Sequence, residues 1–291
     1  MTWWHAVLLG ALQGITEFLP VSSSGHLVLA QHFLGFNPEP GSDRGMELFF
    51  DGCLHLGTAV AVLLYFRRGL RQQWSQHLGG AAPASDPIRL WPANRRELLH
   101  LAWLVFLATV PATVVTLAFS KEIAQSFEEP RPVAFNFLFL GGLLVAVETL
   151  RRRWIGTTVG PETRGWQALA IGLGQAVSAV FRGISRSGAT ISAALLVGLE
   201  RTGAVRFSFM LAVVASGGLG ALGIGRALLK AGGLPSWLTG EFLALTALGT
   251  LVAGLVGYAS IDLLIRLVQA SRLSWFAAYL WSVALVVLLV T

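Results

Sequence analysis

The chain holds one cysteine in 291 residues. Cys53 therefore cannot close a disulfide within the chain, and a metal site built on paired thiols is excluded. Charge is almost as scarce. Asp, Glu, Lys and Arg together make 12% of the residues, against 54% hydrophobic ones, a balance far from that of a soluble domain. Short segments that alternate apolar and polar residues are missing, which argues against a membrane β-barrel. Neither HExxH nor CxxC occurs, so zinc is not expected. No Lys or Arg precedes Arg44. With no basic residues ahead of the first apolar run, and with Gln13 and Glu17 interrupting it, a cleaved signal peptide is not expected and the N-terminus reads as part of the mature fold.

What is present is apolar sequence in long runs, with a mean hydropathy of +0.66. Backbone polar groups in lipid must be satisfied within their own segment, and helices do this most economically. The fold class expected is an all-α polytopic membrane protein. Six runs are long enough to span: 49–66, 98–119 (with Pro111 inside as an expected kink), 133–150, 207–229, 242–265 and 273–290. Two stretches have a different form. Around 5–34 and again around 166–199, a short apolar run leads into a polar turn and then a second short run. This is the pattern of a re-entrant hairpin, tolerated at depth only where protein or a water-filled cavity surrounds it.

The net charge of +6 would suggest nucleic acid in a soluble protein. Here the arginines fall between the apolar runs, at 67–97 and 151–165, so the positive-inside bias explains them and nucleic acid is not expected. The segment Gly79 to Pro83 reads as flexible. The acidic segments 37–47 and 120–131 then fall on the opposite, outer side. Each half, 1–150 and 165–291, comprises one hairpin and three spans. Three is odd, so the halves are expected as inverted repeats of a single membrane domain, with a polar site near the midplane.

That site is expected where the two turns meet. The first turn lies within Gln13 to His26, QGITEFLPVSSSGH, and the second within Gly183 to Thr190, GISRSGAT. Gln13 and Glu17 are four apart and share a helix face. A carboxylate at bilayer depth costs at least about 2.5–3.5 kcal/mol, so Glu17 needs a partner, and Arg186 in the other turn is the evident one. A purely structural ion pair would satisfy the same cost; the hydroxyls and the histidine beside it favour function. Ser22, Ser23 and Ser24 precede an apolar run and suit helix capping, which at least one of them is expected to do alone. A helix N-terminus also presents free N–H groups to phosphate, and Ser185, Ser187, Gly188 and Thr190 repeat the arrangement. Arginine grips two phosphate oxygens at once. His26 lies one turn beyond Ser22 and Ser23, within reach as a general acid or base. Asp51 and His55, unexpected on a span, read as supporting groups. Glu17 is a hard oxygen ligand, of the kind magnesium uses together with substrate phosphate.

At these residues the chain resembles the undecaprenyl-diphosphate phosphatase family, the integral-membrane bacitracin-resistance type. The first motif, (E/Q)xxxE running into PVSSxGH, stands at Gln13 to His26; the second, PGxSRSGxT, stands at Arg182 to Thr190. Weaker similarity covers Phe50 to Thr58, Ala108 to Ala112 and Arg206 to Leu211. The resemblance implies hydrolysis of a C55 isoprenyl diphosphate to the monophosphate, recycling the lipid carrier of cell-wall synthesis in the bacterial plasma membrane. It implies Glu17, Ser23, His26 and Arg186 as catalytic, and Ser22, Ser24, Ser185, Ser187 and Thr190 as phosphate-binding; Gln13, Gly25 and Gly183 complete the substrate-binding set expected. It also implies dependence on magnesium or calcium, with Glu17 the ligand, and a site open to the outer face. Two positions depart from the motifs: Gln13 where many members have glutamate, and Arg182 where proline is expected. The nucleophile is Ser23 or an activated water, with His26 or Glu17 as base. A transporter or flippase for an amphipathic anion would use the same architecture and is the competing expectation. The partners expected are the lipid substrate, membrane lipids and a second copy of the chain.

Overall fold

The computed structural model describes residues 1–34, 45–77, 95–119, 129–154, 163–230 and 235–291. Among the described residues there are ten helices and no strand: α1 (Trp3–Phe18), α2 (Ser23–Phe33), α3 (Gly45–His77), α4 (Arg95–Ala118), α5 (Pro130–Trp154), α6 (Gly165–Val180), α7 (Arg186–Leu196), α8 (Arg201–Lys230), α9 (Gly240–Gln269) and α10 (Leu273–Val290). Six of them, α3, α4, α5, α8, α9 and α10, are long and apolar enough to cross a membrane. These six coincide with the six expected spans but outrun most of them. α3 takes in 45–47 and continues to His77, and α8 begins six residues early at Arg201. Pro111 lies inside α4 and does not end it. The segment 79–83, and most of the loops expected at 37–47, 67–97, 120–131 and 151–165, lie outside the described residues.

The four short helices come as two pairs. α1 has 16 residues and α2 has 11; α6 has 16 and α7 has 11. At about 1.5 Å per residue, none covers the roughly 30 Å of a bilayer core. α1 stops because Pro20 forbids continuation and drives Leu19 to an extended conformation (φ −65°, ψ 147°). Ser22 then adopts the left-handed region (φ 71°), and its hydroxyl accepts from Gly25 N at 3.3 Å to start α2. The second turn uses Gly183 at φ +97°, where a side chain would be strained and a Cβ would come within 2.8 Å of Asn136. Ser185 caps α7 by accepting from Gly188 N at 3.1 Å.

Packing interleaves the two halves of the chain. α1 lies on α9, α4 on α6, α3 on α8 and α9, and α5 on α10, while α7 touches both α5 and α8. Small residues let the helices come close, as is usual where no water drives association. At the α3–α8 crossing, a Cβ on Gly52 would fall 2.8 Å from the Gly220 carbonyl, and one on Gly220 would fall 2.7 Å from the Gly52 carbonyl. Phe18 meets Phe209 edge-on, with ring centroids 5.7 Å apart. The outward faces stay apolar, with Leu117, Leu229 and Leu289 among the exposed residues.

One end of the bundle is tied by charge. Arg151 donates to the Leu199 and Leu195 carbonyls at 2.6 and 3.2 Å, Gln167 to the Val197 carbonyl at 3.0 Å, and Arg201 to the Val268 carbonyl at 3.0 Å. The buried Glu148 accepts from Leu273 N at 2.7 Å. Cations at helix C-termini and an anion at an N-terminus match the helix dipoles. Arg151 and Arg201, which fall between the expected apolar runs, thus cap α7 and α9, and Glu148, inside an expected span, caps α10.

Candidate active site

Glu17 is the centre of the molecule's main polar cluster. Its carboxylate, 5% exposed, accepts four hydrogen bonds. Oε1 takes Arg186 Nη2 at 2.7 Å and Ser216 Oγ at 2.6 Å. Oε2 takes Ser23 Oγ at 2.6 Å and Gln13 Nε2 at 2.9 Å. The two turns therefore meet as the cost of a buried carboxylate requires, and the acid of the first is neutralised by the guanidinium of the second. Hydrogen bonds to a charged group contribute about 1.5–3 kcal/mol each, so this cluster ties α1, α2, α7 and α8 together.

The amide of Gln13 can be oriented from its neighbours. Its Nε2 faces both Glu17 Oε2 and, at 3.0 Å, His55 Nδ1. Turning the amide over would set its oxygen against the carboxylate, so the nitrogen belongs there and donates to both. His55 Nδ1 is then an acceptor. Its 3.6 Å approach to Glu17 Oε2 satisfies a distance criterion for an ion pair, but an unprotonated nitrogen makes none. Two polar atoms in the cluster are buried with no hydrogen-bond partner among the described residues: Gln13 Oε1 and Arg186 Nη1. One is a free acceptor, the other a free donor.

The other expected residues divide by what they touch. Ser22 is committed to starting α2, and its Oγ lies 3.4 Å from that of the half-buried Ser24. Gly25 packs where a Cβ would meet the Phe137 ring and come 3.1 Å from Gly183 Cα, so a side chain there would press on the second turn. Ser187 donates to the Leu19 carbonyl at 2.9 Å, and Ser185 lies 2.9 Å from Ser187 Oγ. Thr190 donates to the Arg186 carbonyl at 2.8 Å and meets Ser208 Oγ at 2.8 Å. These three hydroxyls of the second turn are occupied in joining it to the end of α1 and to α8. His26 is set apart from Glu17. Its Nδ1 reaches the Ser22 carbonyl at 2.8 Å, which can only accept, and its Nε2 reaches Tyr279 Oη at 2.8 Å.

Ser216 and Tyr279 escape the sequence reading. Each sits in a long apolar helix with no motif around it, and nothing but the fold brings them to Glu17 and His26. Arg182 lies on the second turn, its carbonyl held by Asn136 Nδ2, and it interacts electrostatically with Asp51 and Glu47. A shallow hollow with room for about one water is lined by Gln31, Glu47, Phe50 and Asp51 among others, and Arg186 is not part of its lining.

The fit of a divalent ion can be tested on this donor set. Both Glu17 oxygens already take two donors each, a guanidinium among them. Gln13 supplies an amide oxygen where a second carboxylate would add charge. Among the described residues no group of three or more His, Cys, Asp or Glu could hold a metal. Among the described residues, the side chains around Glu17 do not by themselves form a resident magnesium or calcium site.

Fold and cluster together define a multi-pass membrane protein built around a buried acid–guanidinium centre that carries a serine hydroxyl. The chain belongs to the family described as bacitracin resistance protein BacA, whose model matches residues 6–286. It is similar to proteins named undecaprenyl-diphosphatase from Rubrobacter xylanophilus (40% identical, covering 97% of this chain and 96% of the relative), Syntrophotalea carbinolica (39%, 97% and 96%) and Desulfosudis oleivorans (40%, 94% and 93%).

Proposed function

We propose that this protein hydrolyses undecaprenyl diphosphate to the monophosphate and inorganic phosphate, returning the carrier lipid to cell-wall synthesis. Relatives of that name match it over nearly their whole length. The observation that carries the chemistry is the state of Ser23. Its hydroxyl donates to Glu17 Oε2 at 2.6 Å, while Arg186 holds the other carboxylate oxygen and keeps Nη1 unpartnered. A hydroxyl bonded to a carboxylate is an activated nucleophile, and a spare guanidinium nitrogen beside it suits a phosphoryl oxygen.

In the first step Ser23 Oγ attacks the terminal phosphorus and passes its proton to Glu17. The bond from that phosphorus to the bridging oxygen breaks, and the prenyl monophosphate leaves. In the second step a water attacks the phosphoserine and gives its proton to His26. Inorganic phosphate departs, and Ser23 recovers its proton from Glu17. Arg186 Nη1 meets the charge that develops on the phosphoryl oxygens, the main task in phosphoryl transfer. We assign magnesium or calcium no resident position on this chain; the diphosphate is the ligand that would bring such an ion in.

The two short-helix pairs act in this reading as re-entrant hairpins of an inverted repeat. Support comes from the equal lengths of their helices and from the pairing of α1 with α9 and of α6 with α4, which exchange when the halves exchange. The protein resides in the bacterial inner membrane with its site open outward, and a homodimer is the expected assembly, to be checked by its mass in detergent. The deciding test is phosphate release from a C55 prenyl diphosphate by purified protein. Wild type should release phosphate and form a trappable phosphoserine; Ser23→Ala should do neither. Full turnover in Ser23→Ala would leave water as the nucleophile, and movement of lipid without cleavage would replace hydrolysis by transport.

A further inference from the structure

His26 is 6% exposed, and both ring nitrogens are engaged within the protein. The Ser22 carbonyl requires a proton on Nδ1, so in the neutral ring Nε2 has no proton and accepts from the Tyr279 hydroxyl. The ring faces are covered too. Phe137 stacks with a centroid separation of 5.0 Å, and Tyr279 lies nearly parallel, 7° away, at 5.6 Å. Ser23 gives its proton to Glu17, not to this ring. Tyr279 itself is 45% exposed. Its hydroxyl, held at His26 Nε2, links the buried imidazole to this partly exposed side chain.

We propose that the Tyr279 hydroxyl is the proton port of His26: a water at Tyr279 Oη reaches the buried imidazole only through it. The inference rests on the role given above to His26 in the second step. As the water attacks the phosphoserine, its proton passes to Tyr279 Oη while the tyrosine's own proton passes to His26 Nε2. The O–H bond of the water breaks, a new O–H bond forms on Tyr279, and a new N–H bond forms on His26. The tyrosine ends neutral and the ring ends as an imidazolium, which donates from both nitrogens to the same two partners. The reverse shift returns the proton to solvent after phosphate leaves. No side chain needs to move, because donor and acceptor merely exchange roles along one 2.8 Å contact.

Tyr279→Phe removes the port and keeps the ring stack, so the fold is retained. The purified variant in detergent is expected to lose at least tenfold in kcat for phosphate release, with KM within about twofold and phosphoserine accumulating. In a His26→Ala background the same change should have no further effect, since the port then leads nowhere. A Tyr279→Phe enzyme with wild-type kcat, or losses that multiply in the double variant, would overturn the proposal. If His26→Ala alone turns over normally, the role of His26 in the second step fails instead. A readout independent of turnover is the ¹⁵N signal of His26. Nε2 should carry a hydrogen-bonded, unprotonated shift in wild type that moves in Tyr279→Phe; an unmoved signal counts against the contact itself.

Discussion

Arg186 does two things with two nitrogens, and lysine can do only one of them. Nη2 holds Glu17 Oε1 at 2.7 Å, and Nη1, buried and without a partner, is left for substrate. Arg186→Lys keeps the charge but offers a single ammonium on a flexible stem, unable to hold the carboxylate and a phosphoryl oxygen in one fixed plane. Of the four groups that donate to the buried carboxylate only residue 186 brings a full positive charge, so the carboxylate should keep the lysine and the loss falls on the phosphoryl side. Removing one preorganised donor from a transition-state oxygen costs about 10²–10³ in kcat, or about 2.7–4 kcal/mol. Arg186→Lys should therefore fall by that factor in phosphate release while unfolding near the wild-type temperature. Arg186→Ala removes both functions. It strands a buried carboxylate, a change that costs about 3–5 kcal/mol of stability, and it should abolish turnover. Phosphate release from C55 prenyl diphosphate and thermal unfolding in the same detergent measure the two losses separately. Arg186→Lys within fivefold of wild type, or Arg186→Ala with an unchanged unfolding midpoint, would refute the division of labour between the two nitrogens.

Two further outcomes follow from the packing and the donor set. Gly52→Val should separate α3 from α8, because its Cβ would lie 2.8 Å from the Gly220 carbonyl; a lower unfolding midpoint in detergent is expected, and an unchanged one would mean that the crossing is looser than described. Titrating magnesium or calcium calorimetrically into substrate-free protein should give no binding that Glu17→Gln removes, and a Glu17-dependent site of sub-millimolar affinity would restore the acid to the role of resident ligand.

The parts legible in the sequence were those set by cost. A carboxylate in an apolar run has to be neutralised, and with the chain otherwise so poor in charge Arg186 was the evident partner for Glu17. Apolar runs of 18 residues or more gave the six spans, and Pro20 with three serines marked the break between α1 and α2. Hydroxyls were less readable, because a serine's cost is small enough to be met anywhere. Ser185 and Ser187 read as phosphate ligands; that Ser187 donates to the Leu19 carbonyl and lies against Ser185 had no signal in the sequence. Ser216 and Tyr279 carry no periodic or motif signal at all. Arg151 and Arg201 looked like loop charges because their acceptors, main-chain carbonyls of α7 and α9, have no residue identity to read. Asp51 and His55 stood out as polar intrusions; that His55 acts on Gln13, and Asp51 on Arg182, needed coordinates.

The acid and its cation are 169 positions apart. A ribosome adds about 5–20 residues per second, so Glu17 is made roughly ten to thirty seconds before Arg186 exists. Over that interval the hydrogen-bond partners of Glu17 already made are Gln13 and Ser23, and neither brings a positive charge. A truncated first half would be left permanently in that condition, which gives the cell a physical mark by which an unfinished copy differs from a finished one.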